Sequence, residues 1–166
     1  MEPIKPIFMK KDAFLLVGVD KYTDTGFAAI EEAWMDFQAR AQDIRNRVNE
    51  HACYGFEDYT RGFAWPQGAP LPHYHYIAAA QVSSLEDIPE GLFGRSVPAA
   101  TYAVFTRRMP LSELHKAFRY VYDEWLPQSG YEIDPAVGAD FEYYPEPVAD
   151  HEHALIEIYL PIVPKA

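Results

Sequence analysis

The sequence predicts an α+β fold made of two β-α-β-β units. These form a curved, mostly antiparallel sheet with two helices on its convex face and a ligand groove on its concave face. Three observations carry this reading. The order strand, helix, strand, strand can be read twice along the 166 residues. Each helix holds one tryptophan, Trp34 and Trp125. Each strand that follows a helix holds a Phe-Glu pair, Phe56-Glu57 and Phe141-Glu142. The chain 1–166 is expected to be a single domain, with one unit over about 12–83, a linker over 84–98 and the second unit over about 99–163.

Each element follows from local pattern. Residues 13–19 are a short apolar run rich in β-formers, closed by turn-forming residues at 20–26. From 27 to about 49, Ile30, Trp34, Phe37, Ala41, Ile44 and Val48 recur every three or four residues, the buried stripe of an amphipathic helix. Tyr54, Phe56 and Tyr59 mark a strand over 52–60. Gly62, Pro66, Gly68, Pro70 and Pro72 make 61–72 a loop, and 73–83 returns to strand character. Pro89, Gly91, Gly94 and Pro98 give 84–98 its linker character.

The second unit starts with a strand over 100–107. Pro110 then opens a helix with the stripe Leu111, Leu114, Phe118, Tyr122 and Trp125, which Pro127 and Gly130 end. Strands over 138–144 and 154–163 complete it.

Two such units joined about a pseudo-twofold axis cover one sheet face with helices and leave the other free for a small molecule. In the last strand Ile156, Ile158 and Leu160 share a face, which should meet the helices, so Glu157 and Tyr159 look into the groove. The same alternation leads to the expectation that Glu142 and Tyr144 also face the groove, away from the helices.

Charge narrows the partners. Asp and Glu outnumber Lys and Arg 25 to 14, giving a net charge of −11. Direct nucleic-acid binding needs the opposite sign, whereas a cationic small molecule is attracted. No window approaches the ~18–20 apolar residues of a membrane-spanning helix, so no membrane association is expected. Residues 1–11 lack a signal-peptide apolar run, and the single Cys53 cannot pair within the chain. Both point to the cytoplasm. His73-x-His75 and His151-x-His153 lack Cys partners and zinc-hydrolase spacing, so no metal is expected. No phosphate-cradling glycine motif and no nucleophile elbow is present, and no cofactor is expected.

Several stretches resemble the GyrI-like family, the AraC-type effector-binding domains. In the second unit they are Val97-Pro-Ala-Ala-Thr-Tyr-Ala-Val-Phe105, Tyr122-Asp-Glu-Trp-Leu-Pro-Gln-Ser-Gly-Tyr-Glu132, Asp140-Phe-Glu-Tyr-Tyr144 and Glu157-Ile-Tyr-Leu-Pro-Ile162. Trp34-Met-Asp-Phe37, Tyr54-Gly-Phe56 and Tyr76-Ile-Ala-Ala-Ala-Gln-Val82 extend it more loosely to the first unit. The resemblance implies a duplicated β-α-β-β effector-binding domain that takes hydrophobic, often cationic, drug-like compounds in an aromatic groove. The central acid of the family corresponds to Glu142. It further implies a role in multidrug sensing or transcription regulation. Because no basic helix-turn-helix precedes residue 12, the chain is expected to be stand-alone, similar to integron cassette-encoded members, and to reach DNA only through a regulatory protein partner.

The chemistry of such a site is coherent. An unpaired buried carboxylate costs several kcal/mol. An organic cation removes that cost, and aromatic faces add roughly 0.5–2 kcal/mol each. With Glu142 as counter-ion, the candidate lining is Tyr144, Tyr159, Tyr76, Trp65 and Trp125, with Glu57 as a second acid. The resemblance leaves two alternatives to binding alone. One is hydrolysis of strained electrophiles, with Glu142 and Glu57 as acid and base. The other is inhibition of DNA gyrase by protein contact.

Overall fold

A computed structural model of the chain describes residues 1–23, 27–61 and 74–166. Trp65, His73 and nearly all of the loop expected over 61–72 lie outside the described residues. The elements are β1 (Ile7–Lys11), β2 (Phe14–Thr23), α1 (Ala28–Arg40), β3 (Cys53–Asp58), β4 (Tyr74–Val82), β5 (Phe93–Val97), β6 (Ala100–Met109), α2 (Leu114–Arg119), α3 (Leu126–Gln128), β7 (Tyr131–Ile133), β8 (Ala139–Tyr144) and β9 (Ala154–Pro164). The strands form one curved sheet in the order β1-β6-β9-β8-β3-β4-β2-β5, with β7 added on β9, and every pairing is antiparallel. The two β-α-β-β units are β2-α1-β3-β4 and β6-helix-β8-β9, mirrored about the central β3–β8 pair.

Three strands were not expected. β5 occupies the segment read as a linker, β1 precedes the first unit, and the short β7 follows the second helix. β1 and β5 each run into the first strand of their own unit but pair with the other unit: β1 lies on β6, and β5 lies on β2. The two ladders keep one register, with Lys11 opposite Ala100 and Phe14 opposite Val97. Each unit thus lends a strand to its partner's edge, which shields an otherwise unpaired row of backbone groups.

The helices also differ from expectation. The first ends at Arg40 with a 3-10 turn at Ala41–Asp43, not near residue 49. Asn46 adopts φ 61, the left-handed region, which no helix can pass through. Ile44 stays buried, but Val48 is exposed and its N–H is donated to the Gln81 carbonyl. The second helical run opens with a 3-10 turn at Leu111–Glu113, passes through α2 and then makes a π-helical stretch at Tyr120–Trp125 before α3. Pro127 does not stop it. It sits in the first turn of α3, where a missing N–H is tolerated. The run ends before Gly130, at φ 78.

Apolar side chains sort by face. One core lies between the second helical run and the sheet, with Phe118, Val121 and Tyr122 packed on Phe105, Ile156, Ile158 and Leu160. A second lies beneath α1, where Ala33 and Phe37 meet Val17, Val19, Tyr76, Ala78 and Ala80. Trp34 and Cys53 border both. The opposite face has its own cluster without helical residues, built on Phe14, Tyr54, Phe56, Tyr102, Phe141 and Tyr159.

This overturns one expectation. Ile156, Ile158 and Leu160 do meet a helix, and Tyr159 does occupy the helix-free face. Glu142, however, lies opposite Ile158 in the β8–β9 ladder and therefore shares the helix-covered face. Tyr144 packs in the same helix-covered core. The helix-free face, expected to be the groove, is filled by its own rings, with Phe141 and Tyr159 stacked at 4.7 Å.

Candidate functional site

The units meet along β3–β8, and the repeated Phe-Glu motif sits at that seam. Phe56 lies opposite Phe141; to either side, Glu57 lies opposite Asp140 and Gly55 opposite Glu142. The phenylalanine rings stack on the helix-free face at 5.8 Å. Alternation then sends Glu57, Asp140 and Glu142 to the other face, beneath the helices.

Hydroxyl groups hold each acid. Tyr76 of β4 donates to Glu142 Oε1 and accepts a hydrogen bond from Trp34 Nε1 of α1 at 2.9 Å. Tyr122, in the π-helical stretch, donates to Asp140 Oδ2. Tyr59 donates to Glu57 Oε2 at 3.1 Å. The Trp34 ring meets Tyr144 edge-on at 5.6 Å and Tyr76 at 6.3 Å, so aromatic surface surrounds Glu142. Gly55 makes the arrangement possible: a Cβ there would occupy the space of the Glu142 carboxyl and the Tyr76 hydroxyl.

The three acids are sealed from water, at 0% exposure for Asp140, 3% for Glu142 and 6% for Glu57. No basic side chain among the described residues forms an ion pair with any of them. Glu142 Oε2 has no hydrogen-bond partner, whereas the Asp140 carboxyl is hydrogen-bonded by the Tyr122 hydroxyl and by the carboxyl of Glu57. Burial therefore pushes every pKa up. Glu142 rises to about 8, through burial and the nearby Asp140, against the pull of the Tyr76 hydroxyl. Asp140 rises to about 6, through burial, against the hydrogen bonds from Glu57 and then from the Tyr122 hydroxyl. Glu57 is driven well above the usual carboxylate range by burial and then by Asp140. At neutral pH Glu142 and Glu57 therefore hold their protons.

Of the residues singled out in the sequence, Glu142, Glu57, Tyr76 and Tyr144 come together here. Tyr159 does not: it lies across the sheet, donating to Glu157 at 3.0 Å. Trp125 does not either. It packs edge-on against Phe105 at 5.0 Å and stacks parallel to Tyr131 at 6.5 Å. Asp140, Tyr122, Tyr59 and Trp34 were missed as site residues. Tyr122 was visible only as a member of the helical stripe, and Asp140 only as an acid on the face of Glu142.

Elsewhere, His151 and His153 are exposed, and His153 Nδ1 lies 2.8 Å from Asp150. Among the described residues no group of three or more His, Cys, Asp and Glu side chains is arranged to hold a metal ion. None of the described helices is long and apolar enough to cross a membrane.

Comparison with known proteins places this geometry in context. The chain is similar to the transcriptional regulator BrlR of Pseudomonas aeruginosa, 27% identical over 156 residues that cover 93% of this chain and 54% of that protein. It is also similar to a DNA gyrase inhibitor of Erwinia billingiae, 29% identical over 100 residues, covering 58% of this chain and 63% of that protein. The chain thus spans between about half and two thirds of these curated relatives' length.

Among solved structures it shares its fold with SAV2435 bound to tetraphenylphosphonium, with a TM-score of 0.70, 14% identity and coverage of 96% of this chain and 94% of that one. An integron cassette protein from the mobile metagenome of Vibrio cholerae superposes with a TM-score of 0.66, 16% identity and 96% coverage of both chains. The family profile of the integron-associated effector-binding proteins, Cass2, matches residues 9–162. The chain belongs to the integron-associated effector-binding protein family, of GyrI-like fold.

Proposed function

We propose that this protein binds hydrophobic organic cations at the carboxyl cluster beneath its helices, with Glu142 as the principal counter-ion and Trp34, Tyr76 and Tyr144 as the aromatic wall. The observation that carries this is the buried Glu142 Oε2, which has neither a hydrogen-bond partner nor a basic neighbour. Such an oxygen is costly to keep and is relieved by a cation. The tetraphenylphosphonium bound by SAV2435, a protein of the same fold, supports the ligand class.

Because Glu142 is sealed, a ligand must part the packing between α1 and the second helical run. The Trp34–Tyr76 and Tyr122–Asp140 contacts are the ones that yield. Ligand occupancy therefore changes how both helices sit on the sheet, which gives a regulatory partner something to read. A regulator among the relatives supports that use.

The test is titration of tetraphenylphosphonium and the neutral triphenylphosphine oxide into wild type and Glu142→Gln. The variant should weaken the phosphonium by at least about tenfold, about 1.4 kcal/mol, and leave the oxide nearly unchanged. Equal loss for both compounds would remove Glu142 as a counter-ion.

A further inference from the structure

The pseudo-twofold symmetry of the site is broken at one pair of positions, and the break adds a charge. Glu57 and Glu142 are equivalent in the two units, and so are Gly55 and Asp140, one step before the central Phe56 and Phe141 in their strands. The first unit leaves its position without a side chain, and Glu142 leans into that space. The second unit fills its position with a wholly buried carboxyl that is hydrogen-bonded to Glu57 and Tyr122 but has no basic neighbour among the described residues. Two buried carboxyl groups without a basic partner therefore project from one face of β8, on residues two apart along the strand. Their Cα atoms are separated by about 6.6 Å at the usual rise.

Resting on the cation-binding reading above, we infer that the site is built for an organic dication, one positive group at Glu142 and the other at the Asp140–Glu57 pair. A monocation at Glu142 would leave Asp140 facing only the Tyr122 hydroxyl and Glu57, with no positive group to offset it. The two ends also differ in surroundings. Glu142 is bordered by the rings of Trp34, Tyr76 and Tyr144. The Asp140–Glu57 end is bordered by the Tyr122 and Tyr59 hydroxyls, and its paired carboxyls offer oxygen acceptors suited to an N–H donor. The ligand class is therefore an aromatic or aliphatic body carrying two cationic nitrogens a few ångströms apart, at least one of them an N–H donor.

The experiment is calorimetric titration of wild type with benzylamine and with ortho-, meta- and para-xylylenediamine, which share one aromatic body and differ in charge number and spacing. Tetraphenylphosphonium serves as the control for cation binding itself. The inference expects at least one diamine to bind about tenfold or more tighter than benzylamine, with affinity depending on ring position. In Asp140→Asn the diamine and benzylamine should fall within about threefold of each other.

If tetraphenylphosphonium binds and no diamine outdoes benzylamine in wild type, the dication inference is overturned while the binding reading stands. If tetraphenylphosphonium and all the amines fail to bind, both fall. The wild-type series decides the matter even where the buried substitution compromises folding.

Discussion

The two ends of the carboxyl cluster descend from equivalent positions, yet they solve opposite problems. Glu142 lies over Gly55, is held by Tyr76 and Trp34, and keeps one oxygen free. Glu57 lies opposite Asp140, so a second acid stands where the other end has open space. Tyr76 has no counterpart at that end, because the residue paired with Glu142 on β9 is Ile158 where the one paired with Glu57 on β4 is Tyr76. Tyr122 reaches down from the second helical run instead. One glycine and one tyrosine thus decide which end has room beside its acid and which end packs acid against acid.

The difference between the two ends is most sensitive to Gly55. In Gly55→Ala the new methyl occupies the space of the Glu142 carboxyl and the Tyr76 hydroxyl, so the hydrogen bonds from Trp34 to Tyr76 and from Tyr76 to Glu142 must shift together. We expect a loss of about 3 kcal/mol in chemical denaturation. Gly130, whose Cβ would meet nothing but whose φ is 78, isolates the backbone part of such a change. Gly130→Ala should cost about 1 kcal/mol.

The pH dependence of stability comes next in size. In the unfolded chain Asp140 and Glu142 titrate near 3.8 and 4.5, whereas in the folded protein they titrate near 6 and 8. The folded state therefore holds more protons on this cluster across that window, and the cluster's contribution to stability falls as pH rises from about 4 to about 8. The cluster is faced by Tyr59, Tyr76, Tyr122, Tyr144 and Cys53, all of which are pushed up by burial and stay neutral there. Glu142→Gln should flatten the upper part of the decline, between about pH 6 and 8. An unchanged slope in thermal unfolding at several pH values would mean that Glu142 is not the group titrating.

The tyrosines separate the ends more finely. Tyr76→Phe removes the donor to Glu142 and the acceptor for Trp34, and should cost about 2 kcal/mol. Tyr122→Phe removes only the donor to Asp140 and should cost about 1 kcal/mol. The smallest effect belongs to Tyr159→Phe, across the sheet, which loses one half-exposed hydrogen bond to Glu157. It should cost under about 1 kcal/mol and leave phosphonium affinity as it was. A weakening comparable to that of Glu142→Gln would move the site to the helix-free face.

Much of this was legible in the chain itself, and the misses have causes. The repeated Phe-Glu motif marked the duplication, and the structure brings its two copies together where the units meet. The face of Glu142 was misjudged because alternation within one strand says which residues share a face but not which face is covered. Its pairing with Ile158 settles that, and pairing register is a long-range property. β1 and β5 were invisible for the same reason. Their short, mixed sequences, Ile-Phe-Met-Lys-Lys and Phe-Gly-Arg-Ser-Val, become strands only by pairing with the opposite unit. The sequence pattern matches Trp125 to Trp34, but the π-helical stretch puts Tyr122 over the cluster while Trp125 packs on Phe105.

The most direct test of the central claim is the proton count on cation binding. Tetraphenylphosphonium is titrated near pH 7 in two buffers of different ionisation enthalpy. If the cation ionises Glu142, wild type should release about one proton per ligand and Glu142→Gln close to none, with the affinity loss described above. Release of the same number of protons by both proteins, at the same affinity, would contradict the assignment of the cation to Glu142.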